Sequence, residues 1–293
     1  MTVRVDPAAV EDIASTLYIR ALKMLPPDIK QGFATLTARE TNATAQSVLG
    51  VMVRNIAVAE ATDNLLCQDT GIPIYRVTIG RDTEIDGVAM VEAIRRGCAR
   101  ATREHPLRSS VVHPLTRKNE HTSCGIGVPV IEFGYSADFD GLRIEMIPKG
   151  SGSENMSWLK MAIPAEGADA IKRFVIDCVL DAGGKTCPPT IVGVGIGGTA
   201  DLCVHLSKLA ATRPLGSVCA DPDGAALETQ LLAAVNDLGV GPQGLGGDAT
   251  AFAVHVELAA THITMNPVAV NMQCHSARRA SALLSAAGVT FGY

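Results

Sequence analysis

The sequence is poor in aromatic residues and lacks the marks of several protein classes. Phe, Trp and Tyr make up only 4% of the 293 residues, which argues against an aromatic binding platform. No run of about 18 apolar residues is present, so the sequence predicts no membrane-spanning helix. The N-terminus lacks the apolar segment and small-residue cleavage site of a signal peptide, and we therefore expect a cytoplasmic protein.

The charge balance and the cysteine spacing argue against further classes. The formal net charge is -5, which disfavours nucleic acid as the main partner. None of the eight cysteines belongs to a CxxC pair, which argues against a zinc ribbon or a thioredoxin-like site. In a reducing compartment we expect free thiols, not a disulfide framework. The apolar fraction of 47% and the charged fraction of 19% are typical of a compact globular chain.

Helical and strand patterns alternate along the chain. Asp6 followed by Pro7 is a good helix start, and the first 62 residues read as helices. We predict later helices over 88–104, 164–182, 223–238 and 276–287, and strands at IPIYRVTIG, VPVIEF, LRIEMI, TIVGVGIGG, AFAVHVELA and VAVNM. The sequence therefore predicts an α+β fold of mixed α/β character, with mixed sheets flanked by helices. We expect one domain over 1–293, with a helical N-terminal segment (1–62) and an α/β core (63–293).

Three cysteines stand out because each lies where one predicted element gives way to the next. Cys67 follows a helix, Cys187 precedes a buried strand, and Cys274 lies between a strand and the last predicted helix. Free backbone N–H groups at such places can face a negatively charged sulfur cluster. A cluster site and small buried apolar cysteines both remain open on spacing alone.

A set of motifs in fixed order decides between these alternatives. The chain resembles the α subunits of class I, iron–sulfur-dependent fumarases and L-tartrate dehydratases, through LLCQDTG, LRSSVVHPLTRKN, PKGSGSEN, CPPTIVGVGIGGTAD, GLGG and the late Cys274. The resemblance implies a hydro-lyase that reversibly dehydrates a small 2-hydroxy dicarboxylic acid. It also implies a 4Fe-4S cluster bound by Cys67, Cys187 and Cys274, whose fourth iron is open and acts as a Lewis acid.

The resemblance assigns roles to three polar residues of the first half of the chain. Gln68 and Asp69 match the family's active-site pair, and Asp69 would orient or protonate the departing hydroxyl. Arg108 matches an arginine that binds a substrate carboxylate, a task that suits the planar guanidinium. On the residues alone, Asp69 also fits an Asx turn and Arg108 a solvated surface charge.

Further site residues are carried over in the same way. His262 lies twelve residues before Cys274 and matches the family's active-site histidine by context and spacing. Lys149, Gly150 and Gly152 resemble a loop whose backbone approaches the substrate or the cluster. The plainer interpretations are a structural histidine and a tight turn between a strand and a helix.

Two other functions compete with the hydro-lyase. Gly193-x-Gly195-x-x-Gly198 lies between a predicted strand and a predicted helix, which is formally the fingerprint of an NAD-dependent oxidoreductase. Asp221 is near the spacing of the acidic residue that such a fold requires, but the residues before it make a poor strand. A non-catalytic binding or scaffold protein is the third hypothesis.

The chain departs from its relatives in one segment and ends early by comparison. After PLTRKN the relatives tend to continue with Thr-Gly and a further Asn, whereas this chain has Glu120-His121-Thr122-Ser123-Cys124. The identity of the acid therefore stays open, and Cys124 is either a further thiolate or buried filler. The relatives carry an additional region, fused or as a β subunit, which supplies the base. Because this chain ends at SAAGVTFGY, we expect a separate β subunit and paired α chains in an α2β2 assembly.

Overall fold

The computed structural model describes residues 2–105 and 107–293 of the chain. It has the α+β architecture that the sequence predicts, with helices and mixed sheets. The chain forms two compact units: the first contains Met1–Pro26, Ile56–Ser151 and Arg278–Tyr293, and the second contains Pro27–Asn55 and Gly152–Ala277. The expectation that 1–293 form a single domain stays a prediction.

The N-terminal segment is helical, as predicted. It consists of α1 (Pro7–Lys23), α2 (Pro27–Arg39) and α3 (Ala43–Ala61). The Asp6 side chain caps α1 by accepting a hydrogen bond of 3.0 Å from the Ala8 N–H, which satisfies one of the free donors of the first turn. No helix in the described residues is both long and apolar enough to cross a membrane.

The first unit is built on a five-stranded mixed sheet. Its order is β11-β10-β5-β2-β4, in which β2 and β4 are parallel and every other pair is antiparallel. The helices α1 and α4 pack on each other, and α1 also packs against β5 and β10. A short parallel pair, β1 with β3, completes the unit. The bounds are β1 (Val3–Arg4), β2 (Ile72–Arg81), β3 (Thr83–Glu84), α4 (Gly87–Glu104), β4 (Val130–Asp140), β5 (Leu142–Lys149), β10 (Ala280–Ser285) and β11 (Gly288–Gly292).

The helix predicted over 276–287 is wrong, because this segment forms strand β10 and the turn into β11. Its alanines favour a helix locally. However, β10 lies between β5 and β11, and Ala280 and Ala282 are buried opposite Met146 and Ile144. Strand pairing and burial therefore override the local helix propensity.

The second unit contains a four-stranded mixed sheet. Its order is β6-β9-β7-β8, in which β7 and β8 are parallel and β9 is antiparallel to both β6 and β7. The helix α7 packs against β7 and β9, and α8 packs against β8. The bounds are α5 (Ser151–Glu154), β6 (Ser157–Ala162), α6 (Gly167–Ala182), β7 (Thr190–Gly197), α7 (Ala200–Ala211), α8 (Pro222–Asp237), β8 (Ala251–Ala259) and β9 (Asn266–Gln273).

Candidate active site

The loop between α3 and β2 carries three of the predicted site residues. Leu66 is buried, and its N–H donates to the Leu22 carbonyl oxygen at 2.9 Å, which anchors the loop on α1. The next two residues, Cys67 and Gln68, are exposed, and Asp69 is half-buried. The loop therefore presents a thiol, an amide and a carboxylate in succession on a fixed base.

Asp69 accepts hydrogen bonds on both of its carboxylate oxygens. Its Oδ1 accepts from the Gly71 N–H at 2.9 Å, and its Oδ2 accepts from the N–H and the hydroxyl of Ser151 at 2.7 and 2.9 Å. Burial alone would raise the pKa of Asp69, but the hydrogen bonds from Ser151 and Gly71 and the charge of Arg278 lower it below its ordinary value. An ionised carboxylate that only accepts hydrogen bonds suits an orienting role better than a proton donor.

The residues after Asp69 pack closely against the end of β5. Gly71 has φ +71°, and a Cβ there would lie 2.7 Å from the Lys149 carbonyl carbon and oxygen. This position therefore requires glycine both for its backbone angle and for space. A Cβ on Gly150 would lie 3.2 Å from Asp69 Oδ2, and Lys149 itself has no exposed surface. The structure thus packs the Asp69 loop against the backbone of Lys149 and Gly150.

Arg108 lies on an adjacent loop of the first unit. Its side chain is exposed, and its carbonyl oxygen accepts a hydrogen bond from the Thr70 hydroxyl. The Thr70 hydroxyl oxygen also lies 3.3 Å from the Ser110 hydroxyl oxygen. Because Thr70 follows Asp69 directly, these contacts hold the Arg108 loop beside the Asp69 loop.

Sequence reasoning missed a further cation in this region, Arg278. Its side chain is 2% exposed, and its Nη2 donates to the Pro148 carbonyl oxygen at 3.5 Å. A Cβ on Gly150 would lie 3.5 Å from the same Nη2, so the guanidinium and the Asp69 carboxylate flank this glycine. The Nη1 is buried without a hydrogen-bond partner, which is unusual for a charged group. The sequence signal was the pair of adjacent arginines Arg278 and Arg279 in the apolar C-terminal segment. Their burial was not predicted, because this segment was taken for a helix.

In the second unit, strand register brings Cys187 and Cys274 to the same end of the sheet. Cys187 precedes β7 and Cys274 follows β9, and these strands are antiparallel with Ile191 opposite Gln273. The Cys187 carbonyl oxygen accepts from the His275 N–H at 3.2 Å. Cys187 has a left-handed backbone, with φ 54° and ψ 65°, and both cysteines are half-buried.

Gly152 also lies close to the turn before Cys187. This 3-10 turn covers Gly183–Thr186. A Cβ on Gly152 would lie 3.0 Å from the Lys185 carbonyl oxygen, tighter than an ordinary contact. The glycine therefore allows the two backbones to approach one another, which agrees with a loop whose backbone matters more than its side chains.

His262 lies at the other end of β9. It is exposed in the turn between β8 and β9, where its Nδ1 lies 2.9 Å from the Thr264 hydroxyl oxygen and accepts from the Thr264 N–H at 3.2 Å. Between His262 and Cys274 run the eight residues of β9, which span about 26 Å at roughly 3.3 Å per residue. The twelve-residue spacing therefore does not place this histidine beside Cys274 within the second unit.

The three cysteines predicted as ligands, Cys67, Cys187 and Cys274, fit an iron–sulfur cluster by residue type and by exposure. Cys67 is exposed and Cys187 and Cys274 are half-buried, whereas Cys178 and Cys203 are buried. Burial raises the pKa of Cys178 to about 12 and that of Cys203 to about 11, which keeps these two thiols protonated. Among the described residues, no three Cys, His, Asp or Glu side chains are placed to hold a single metal ion. A polynuclear cluster, in which each cysteine binds a different iron, does not require that convergence.

The glycines of the dinucleotide fingerprint have a packing role. Gly193 and Gly195 lie inside β7, and a Cβ on either would overlap the backbone of α7, at Ser207 and Cys203 respectively. In a dinucleotide-binding fold, the first glycines form the turn after the strand. Asp221 caps α8 by accepting from backbone N–H groups and does not end a strand. This geometry contradicts the NAD-dependent interpretation.

The family model for fumarate hydratase (Fumerase) matches residues 11–283 of this chain. A Methanocaldococcus jannaschii protein, which has the provisional name L(+)-tartrate dehydratase subunit alpha, is 41% identical over 273 residues, covering 92% of this chain and 96% of that protein. The L(+)-tartrate dehydratase subunit alpha of Escherichia coli K12 is 31% identical over 262 residues, covering 89% of this chain and 86% of that protein. These matches extend over most of the chain and include the loops described above, and the chain therefore belongs to the fumarate hydratase family of hydro-lyases.

Proposed function

We propose that this chain is the α subunit of an iron–sulfur hydro-lyase that reversibly removes water from a small 2-hydroxy dicarboxylic acid. The substrate would be malate, tartrate or an alkyl-substituted relative. The main support is the loop that presents Cys67, Gln68 and Asp69 in succession, together with the Arg108 loop and the end of β5 that pack beside it.

The proposed cluster ligands are Cys67, Cys187 and Cys274. Cys67 is exposed and the other two are half-buried, and strand register already brings Cys187 and Cys274 to one end of a sheet. A bound 4Fe-4S cluster would supply an iron without a protein ligand, which is a Lewis acid for the substrate's hydroxyl group.

Asp69 and Gln68 would position the substrate's hydroxyl group. The Asp69 carboxylate is held by three hydrogen bonds from Gly71 and Ser151, so its orientation is fixed before substrate arrives. Gln68 is exposed beside it, and its amide can both donate and accept.

The charges around Asp69 favour a ligand with two carboxylates. Arg108 is exposed and offers a planar pair of donors to one carboxylate. Arg278 is buried close by and adds positive charge to the same region. Such a concentration of cations raises the local concentration of a small dianion and orients it.

We also propose that His262 is a catalytic residue and that the chain acts with a partner subunit. Elimination of water needs a base for the carbon-bound proton, opposite the group that takes the hydroxyl. No residue named in the proposed site of this chain is assigned that role. We therefore propose a β subunit that supplies the base, with two α chains in an α2β2 assembly, in agreement with the name "subunit alpha" of the relatives. The cytoplasmic location stays a prediction.

The test is anaerobic purification, reconstitution with iron and sulfide, and spectroscopy of cysteine variants. Cys187→Ser should abolish the iron–sulfur chromophore, and Cys178→Ser, which changes a buried thiol outside the proposed set, should retain it. The reconstituted α chain with its β subunit should then convert at least one of malate, tartrate and an alkyl-substituted relative, measured by absorbance of the enoate product. A full cluster in Cys187→Ser, or no turnover of any acid by the complete enzyme, would refute the proposal.

A further inference from the structure

Two thiols of the first unit, to which the proposed function assigns no role, lie beside one another. Cys98 is on α4, and its sulfur lies 3.8 Å from the Ser123 carbonyl oxygen. Cys124 follows Ser123, and its sulfur lies 3.5 Å from the carbonyl oxygen of Arg95, almost one helical turn before Cys98. Cys124 also packs against the buried cluster that contains Cys98, and the two thiols lie close enough to shift each other's pKa. Each cysteine thus has a second thiol within reach.

The two thiols differ in exposure and in acidity. Cys98 has no exposed surface, and its hydrogen bond with Cys124, together with burial, holds its pKa well above the ordinary value. Cys124 is half-buried and lines a cavity of about 500 Å³. The hydrogen bond from Cys98 lowers the pKa of Cys124, and the charges of Arg95 and Arg103 add to this against the opposing effect of burial. Cys124 is therefore the thiol with more thiolate character and with access to small molecules.

We propose that Cys98 and Cys124 form a reversible disulfide when the protein meets a peroxide, with Cys124 reacting first and Cys98 resolving. An accessible thiolate next to a second thiol is the usual arrangement of redox-sensitive cysteine pairs. The cavity beside Cys124 gives hydrogen peroxide a route to the sulfur.

The reaction balances with hydrogen peroxide as the only oxidant. The Cys124 thiolate attacks one peroxide oxygen, the O–O bond breaks, and hydroxide leaves and is protonated to water. The Cys98 thiol then attacks the sulfur of the Cys124 sulfenic acid. An S–S bond forms, the S–O bond breaks, and the Cys98 proton leaves with the hydroxide as a second water. The two cysteines lose two electrons to one peroxide, and an external dithiol reverses the change.

The bond would join an irregular segment to a helix. Cys124 belongs to the connection between α4 and β4, and this connection also supplies Ser110 and His113 to the wall of the cavity. A disulfide to Cys98 would fix this wall against α4. Because Ser110 also contacts Thr70 beside Asp69, the oxidised form would constrain the loop that carries Arg108.

The experiment uses the full chain, treated with graded hydrogen peroxide, alkylated with iodoacetamide and digested without reduction for mass spectrometry. We expect a cross-linked peptide that joins Cys98 to Cys124, the loss of both thiols from the alkylated pool, and their recovery with dithiothreitol. Cys178→Ala is the matched control, because Cys178 is a buried thiol influenced by Asp177 and Asp181, not by another thiol. This variant should still form the cross-link.

A second variant tests the order of the two steps. In Cys98→Ala the Cys124 sulfenic acid has no resolving thiol, so dimedone should trap it and no cross-link should form. If this variant does not fold, the mapping on the unmodified chain decides alone. Peroxide that oxidises Cys124 beyond the sulfenic acid while Cys98 remains alkylatable, or that cross-links only other cysteines, would overturn the proposal. These masses do not depend on hydro-lyase activity, so the two proposals succeed or fail separately.

Discussion

Two carboxylates organise loops in the two units, and their surroundings differ. Asp69 in the first unit and Glu40 in the second each accept several hydrogen bonds from backbone N–H groups. Glu40 is 4% exposed and is surrounded by the backbone that it holds, whereas Asp69 is half-buried beside exposed Cys67 and Gln68. The number of hydrogen bonds alone therefore does not identify a functional carboxylate. The exposed Cys67 and Gln68 beside Asp69 are what support the role proposed for that carboxylate.

The largest effect on turnover is expected from Asp69→Asn. Asparagine keeps the shape of the side chain but offers only one acceptor oxygen, so either Ser151 or Gly71 faces an NH2 group. We expect kcat of the complete enzyme to fall by about 10²-fold, the scale of the loss when a positioning group is displaced by about 1 Å.

The matched control for Asp69 is Asp201→Asn. Asp201 lies in the second unit and accepts a hydrogen bond of 2.6 Å from the Thr199 hydroxyl, and it has no place in the proposed site. The kcat of the Asp201→Asn enzyme should equal that of the unmodified enzyme. An Asp69→Asn enzyme with unchanged kcat would show that Asp69 is only a structural turn residue.

Arg108→Lys should have the next largest effect. Lysine keeps the charge but loses the planar pair of donors that binds a carboxylate at two points. We expect KM to rise about tenfold, which corresponds to roughly 1.4 kcal/mol, with a smaller change in kcat. Arg173→Lys, which changes an exposed arginine on α6, provides the control for steady-state kinetics. Equal KM values in the two variants would remove Arg108 from the substrate site.

A smaller effect is expected at His262, which is exposed in the turn before β9. The resemblance predicts that His262→Asn lowers kcat, and we expect a smaller decrease than for Asp69→Asn. Asparagine can still accept the Thr264 N–H, so the thermal unfolding temperature should stay the same. Steady-state kinetics and a thermal melt measure both quantities. A loss of thermal stability with unchanged kcat would mean that His262 only stabilises the turn before β9.

Part of this molecule could be predicted from local sequence signals. The Asp6–Pro7 cap and the apolar spacing of α1 identify that helix, and the β-branched run of β2 identifies that strand, because both signals are local. The pairing of β10 with β5 is not local, and alanines at 280 and 282 gave the opposite signal.

The candidate site was predictable to a similar degree. The motif around Asp69 identified the loop, but its tether to Ser151 crosses 82 positions of sequence. The burial of Arg278 depends on strand β10, so it could not be predicted once that segment was taken for a helix. The position of His262 depends on the direction of β9, which sequence spacing does not contain. The distances between the site residues depend on how the strands are ordered and oriented, which local sequence patterns do not show.

The smallest effect on turnover and the clearest effect on stability are expected from Glu40→Gln. The Glu40 carboxylate accepts hydrogen bonds from the N–H groups of Asn42, Asp248 and Ala249, each at 2.9 Å. It therefore connects the start of α3 to the residues that follow the GLGG motif (244–247). Glutamine would turn an NH2 group toward at least one of these donors in a buried place. The free energy of unfolding should fall by about 1–3 kcal/mol, the cost of an unsatisfied buried group.

Denaturant unfolding and kinetics together decide whether the two carboxylates differ as proposed. Glu166→Gln is the control, because Glu166 is exposed and its side chain makes no capping hydrogen bond, so its unfolding free energy should not change. Below the unfolding transition, Glu40→Gln should keep the kcat and the iron–sulfur chromophore of the unmodified enzyme, since Glu40 holds backbone that contains none of the proposed ligands. A decrease in kcat without a decrease in stability would reverse the comparison and would make Glu40, not only Asp69, part of the catalytic machinery.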